Sequence, residues 1–172
     1  MIRILGIDPG SRITGFGVVE ADRQSAICIA SGCVNVAGDT LAERLQVIFK
    51  GVSEIVDKYQ PHEVAVEQVY VNRNVDSALK LGQARGVAIC AVANKSIPVF
   101  EYTPSQIKQS VVGRGNAAKS QVQHMVSALL NLNRKPQADA ADALAMALCH
   151  SHFRHTLAQL PGVSRVRRGR LR

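Results

Sequence analysis

Arg3-Ile4-Leu5-Gly6-Ile7-Asp8-Pro9-Gly10 is a short apolar run closed by a carboxylate and a Pro-Gly pair. An apolar segment of this length, ended by strong turn formers, reads as a buried strand. Asp8 then stands at the strand's C-terminal end. Two more strand-like runs follow, Thr14–Glu20 and Ala26–Val36, with polar Asp22-Arg23-Gln24 between them. Consecutive strands that need only tight turns predict an antiparallel meander.

Beyond the meander the pattern changes to alternating helix and strand. Thr40-x-x-Glu43 is a capping box, and Leu41, Leu45, Ile48, Val52, Ile55 and Tyr59 recur at helical spacing until Pro61. His62–Val69 reads as a fourth strand, and Ile97–Tyr102 as a fifth. Between them, Asp76–Asn94 is a helix that is small and apolar on most sides, so it is expected to be covered by its own sheet and a second subunit. Thr103-Pro104-Ser105-Gln106 opens a further helix with a cap and an early proline. Asn116–Leu130, with Val122, Met125, Val126 and Leu129 on one face, and Ala138–Phe153 complete the set. The order predicts an α/β domain: a mixed five-stranded sheet, three antiparallel strands and then parallel additions, with helices on both faces.

The chain has 172 residues, 47% of them hydrophobic, enough for one domain with a real core. The expected division is a domain over residues 1–155 and a basic, flexible tail over 156–172. No stretch reaches the roughly 18 consecutive apolar residues of a membrane span, and the start reads as a strand, not a signal, so a cytoplasmic protein is expected. Cys28, Cys33, Cys90 and Cys149 form no C-x-x-C pair and are expected to be buried free thiols. Net charge is +8, and from Tyr102 to Arg172 eleven Lys/Arg accompany only two acids, Asp139 and Asp142. A basic surface of this kind recruits polyanions.

Four acids are candidates for chemistry. Taken singly, each has a plain account: Asp8 as an Asx-type turn residue, and Asp139 with Asp142 as helix-capping acids. Glu67 interrupts Val64-Ala65-Val66 in mid-sheet, where an unpaired carboxylate is costly. Taken together they say more. If the fourth strand lies parallel to the first, Glu67 comes to the same sheet edge as Asp8, beneath the start of the last helix. Clustered carboxylates repel one another, and divalent cations relieve that repulsion.

Gly6-Ile7-Asp8-Pro9-Gly10-Ser11-Arg12-Ile13-Thr14-Gly15, Val66-Glu67-Gln68-Val69, Asp76 to Gly86 and Gln137-Ala138-Asp139-Ala140-Ala141-Asp142 together resemble the RuvC family of crossover junction endodeoxyribonucleases, from Ile2 to about His150. The resemblance implies a ribonuclease-H-like fold and a homodimer. It also implies Mg²⁺, with Mn²⁺ able to substitute, two ions per active site, and paired nicks in strands of like polarity across a four-way DNA junction. Matched to the family motifs, Asp8, Glu67, Asp139 and Asp142 are the catalytic, metal-binding acids. A branch-migration helicase complex is the further partner it implies.

By the same resemblance Tyr70 occupies a position where relatives often carry Phe, and an aromatic there can stack on an unpaired base. Arg73 shares its loop. Lys108 and Lys119 match lysines near the DNA, and Arg114, between Gly113 and Gly115, could follow a phosphate backbone; for each one alone a solvated surface charge is the default reading. Gly113 to Ser120 lacks P-loop spacing and follows no strand, which excludes nucleotide binding there. His150, His152 and His155 read as solvated side chains, not a metal cluster. The alternatives are a related nuclease acting on RNA and a catalytically silent protein that grips structured nucleic acid. An actin-like kinase is excluded for want of a second lobe.

Overall fold

The computed structural model describes residues 1–69, 75–158, 166–167 and 170–171. The first strands are β1 (Ile2–Asp8), β2 (Ile13–Ala21) and β3 (Ala26–Asn35), followed by α1 (Leu41–Tyr59) and β4 (Glu63–Glu67). Then come α2 (Val75–Ala93), β5 (Val99–Tyr102), α3 (Pro104–Val112), α4 (Lys119–Leu129) and α5 (Ala138–Ala158). A two-residue pair, β6 (Val166–Arg167) and β7 (Arg170–Leu171), lies near the C-terminus. The five-stranded sheet runs in the order β3-β2-β1-β4-β5. β1–β2 and β2–β3 are antiparallel, whereas β1–β4 and β4–β5 are parallel. The expected meander with parallel additions is therefore the observed sheet.

Side-chain alternation divides the core into two layers. Leu5, Ile7, Val18, Val64 and Val66 pack with α1 and α2 through Ile48, Val52, Ala84 and Ala88. Ile4, Val19 and Ala65 face α3, α4 and α5 through Ile107, Val126, Leu144 and Leu148. Local signals set the helix starts. Thr40 and Glu43 form the anticipated capping box, as do Thr103 and Gln106. Gln60 at φ 47° and Gly113 at φ 80° close α1 and α3 in the left-handed region.

α5 is the central beam, 21 residues or about 31 Å long, and almost every side chain from Ala140 to Ser151 is buried. It lies unusually close to the sheet because β1 and β2 offer it glycines. A Cβ at Gly6 would overlap the carbonyl oxygen of Ala143, and one at Gly15 would overlap that of Asp139. The small residues set the height of the helix above the strands.

Several boundaries and environments differ from expectation. β4 stops at Glu67, so this residue ends the strand instead of interrupting it. α4 begins at Lys119, because a turn at Gly115–Asn116 precedes it and Ala118 is its N-cap, and Leu129 is 42% exposed while Leu130 is buried. α5 continues to Ala158. In the single chain α2 is covered only on its inner side, with Leu79 60% exposed and nothing within 4 Å of where a Cβ would stand on Gly82 or Gly86. All four cysteines are free, but only Cys149 is buried; Cys28 and Cys33 are half-buried and Cys90 is exposed. Among the described residues no helix is long and apolar enough to cross a membrane.

Candidate active site

The parallel pairing of β1 with β4 places Ile7 opposite Val66, so the next residues, Asp8 and Glu67, leave the sheet side by side. The first turns of α5 rest on the glycines of β1 and β2 and bring Asp139 and Asp142 over the same edge. Asp139 lies inside the first turn and not at the N-cap, where its charge still suits the helix dipole. Four carboxylates from three distant stretches of sequence thus share one end of the sheet.

Their electrostatics report the crowding. Burial pushes the Asp8 carboxyl up from 3.8 to about 7, and Asp142, Glu67 and Asp139 add repulsion in that order, with Lys119 opposing them. Glu67 is also raised, first by burial and then by Asp142, while Lys108 and Lys119 pull the other way. Lys119 Nζ reaches Asp142 Oδ2 at 2.6 Å, and this bond raises the lysine in turn. A cavity of about 180 Å³ opens beside these groups, lined among others by Glu67, Lys108, Lys119 and Asp142. Lys108 and Lys119, which the sequence offered as lysines near DNA or as solvated surface charges, thus lie beside the acids.

Among the described residues no three His, Cys, Asp or Glu side chains are arranged to hold one ion as they stand. The donor set nevertheless fits a hard divalent cation: carboxylate oxygens only, partly buried, and carrying more negative charge than Lys119 and Lys108 offset. An ion would draw together groups that now repel.

The other sequence candidates fare differently. Arg114 is exposed in the turn after α3 and is not among the groups that act on the acids. Tyr70 and Arg73 lie outside the described residues. His150 is the clear correction. It is buried at 3% exposure, its Nδ1 lies 2.6 Å from the Tyr102 hydroxyl and its Nε2 2.6 Å from Glu63, and Arg154 also reaches Glu63 at 3.1 Å. Continuation of the apolar run Ala143–Cys149 into residue 150 was the available signal for its burial. Sequence reasoning also missed Arg85, whose Nε donates to the Glu67 carbonyl at 2.9 Å while its terminal nitrogen pairs with Glu101 at 2.9 Å.

Residues 4–150 match the family model described as crossover junction endodeoxyribonuclease RuvC. The crossover junction endodeoxyribonuclease RuvC of Hahella chejuensis is 58% identical over 172 residues, covering 100% of both chains. Among solved structures, T. thermophilus RuvC in complex with Holliday junction substrate superimposes with a TM-score of 0.85 at 34% identity, covering 91% of this chain and 96% of that one. The yeast mitochondrial Holliday junction resolvase Ydc2 shares the fold at a TM-score of 0.67 and 13% identity, covering 91% and 82%.

Proposed function

The chain belongs to the RuvC family of crossover junction endodeoxyribonucleases, with the ribonuclease-H-like fold of that family, and from this premise we propose that it resolves four-way DNA junctions by paired, symmetric nicks during recombination and repair. The observation that carries the reading is the raised Asp8, buried against Glu67, Asp139 and Asp142 at the parallel edge of the sheet. A cluster so deficient in positive charge suits phosphodiester chemistry assisted by divalent cations.

Asp8, Glu67, Asp139 and Asp142 would hold two Mg²⁺ ions, or Mn²⁺ in their place; when bound, such ions lower the pKa of water and offset charge on the reacting phosphate. The chain's own residues do the rest. Lys119 and Lys108 line the cavity beside the acids and attract the phosphate backbone. Lys119 holds Asp142 in place until a phosphate oxygen competes for its ammonium group. Burial of Asp8 and Glu67 keeps bulk water from screening their charges. Arg114 is a backbone contact further out, Tyr70 keeps the base-stacking role that the family resemblance implies, and Arg73 is a further DNA contact.

Two equivalent strands call for two equivalent sites, which a two-fold dimer supplies. The open face of α2, with Leu79, Gly82 and Gly86, supports that helix as the interface. Gly86→Arg is expected to shift the protein toward monomer in light scattering. The branch-migration helicase complex is a partner on the same junction by family resemblance. Bacterial chromosomal DNA lies in the cytoplasm, and we place the protein there.

The test uses a synthetic mobile four-way junction, a linear duplex and a structured RNA, each with Mg²⁺ and then with EDTA. Symmetric junction nicks that disappear with chelator are expected. Cleavage of the RNA or duplex in preference to the junction would overturn the reading.

A further inference from the structure

We infer that Arg85 is a positioning residue that sets the backbone of Glu67 in place of a missing sheet hydrogen bond. The inference rests on the active-site reading above and adds a residue to it.

In the β1/β4 ladder Gly6 is opposite Ala65 and Ile7 opposite Val66. Val64 and Gln68 donate away from β1, to Pro98 and Tyr102 on the β5 side, so Ala65 and Glu67 present their polar groups to β1. In a parallel ladder of that register the Glu67 carbonyl would accept from the N–H of residue 9. That residue is Pro9, which has none. The carbonyl is thereby orphaned at the point where the strand must stop and present a carboxylate.

Arg85 supplies the missing donor. From α2 its Nε bonds the Glu67 carbonyl, and its terminal nitrogen bonds Glu101 of β5, both at 2.9 Å. The side chain is only 19% exposed. One planar guanidinium thus ties the end of β4 to β5 and to α2, a geometry that a lysine ammonium does not reproduce. Since the Gln68 N–H of the same peptide is fixed by the Tyr102 carbonyl, both polar groups of the peptide that follows Glu67 are held, and its carboxylate has a defined origin.

The experiment compares wild type, Arg85→Lys, Arg85→Met, Pro9→Ala and the Pro9→Ala/Arg85→Met double variant. Cleavage of prebound junction in single turnover, junction affinity in EDTA, Mn²⁺ affinity by electron paramagnetic resonance, and Tm are measured for each. Both Arg85 single variants are expected to slow cleavage by about ten- to a hundredfold, to weaken Mn²⁺ binding, and to leave junction affinity within about threefold. Pro9→Ala restores an N–H to the ladder, so the double variant is expected to recover at least about tenfold of the loss in rate. A residue that only stabilised the fold would lower Tm without shifting Mn²⁺ affinity and without rescue by Pro9→Ala. That result, or Arg85 variants with wild-type rate and Mn²⁺ affinity, would overturn the inference. If Arg85→Met unfolds, Arg85→Lys decides by the same Mn²⁺ and rate criteria. A wild-type protein inactive on junctions would instead refute the parent reading.

Discussion

Glu63 and Glu67 stand four residues apart on the same face of β4, both turned toward α5, and their surroundings are opposite. Glu63 begins the strand and meets His150 at 2.6 Å and Arg154 at 3.1 Å, with the Tyr102 hydroxyl completing the network. Glu67 ends the strand and meets burial and the charge of Asp142, which Lys108 and Lys119 offset only in part. Burial lowers the His150 pKa despite Glu63, so the ring is neutral at physiological pH. Its Nε2–H can then donate to Glu63, leaving Nδ1 to accept from Tyr102. At one end of the strand the folded chain satisfies its own carboxylate; at the other, on the function proposed, that task falls to a bound cation. An acid supplied with partners reports stability, and an acid denied them reports chemistry.

Matched substitutions at the two ends separate these roles most sharply. Glu67→Gln is expected to reduce junction cleavage at least about a thousandfold, several kcal/mol of barrier, with junction binding and Tm nearly unchanged. Glu63→Gln is expected to do the reverse, lowering stability by about 1–3 kcal/mol as buried partners lose their charge-assisted bonds, while the folded fraction cleaves at close to the wild-type rate. A silent Glu63→Gln enzyme of normal Tm would erase the distinction. Gly15→Ala follows in size. Its methyl would push α5 off the sheet at Asp139, and a displacement of about 1 Å at the site can cost about a hundredfold in rate. Single-turnover kinetics on prebound junction measures it.

The smallest effect tests the charge imbalance itself. In EDTA the folded chain holds the Asp8 proton up to about pH 7, whereas the ordinary value is 3.8. The folded state therefore binds more protons between those limits, and stability falls as pH rises through them. Asp8→Asn removes the penalty. Its Tm is expected to exceed that of wild type at pH 8, with the difference gone below about pH 4. Thermal melts across this range would show a flat difference if Asp8 were an ordinary turn residue.

The legible parts of the molecule were those coded locally. Thr40 with Glu43 and Thr103 with Gln106 announced their helices because a capping box needs only residues three apart. Asp8 before Pro9-Gly10 marked a strand end, and the parallel placement of β4 then put Glu67 beside it. What depended on distant neighbours was not legible. His150 looked like one of several tail histidines until β4 and β5 brought Glu63 and Tyr102 to it. Arg85 was an ordinary helical arginine until Pro9 withdrew a donor 76 positions away in the chain. Both depend on what another element leaves unpaired, and no spacing rule records that.

Gly6 and Gly15, described above as the floor on which α5 rests, also bear on heredity. Gly→Ala is a single nucleotide change and adds one carbon, the smallest enlargement a gene can make. At these two positions there is no room for that carbon beneath Ala143 or Asp139, so a mild mutation displaces the helix that carries Asp139 and Asp142 without touching either carboxylate. Mutational fragility therefore extends to residues that have no side chain, and a survey of loss-of-function alleles should find them there as well as at the acids.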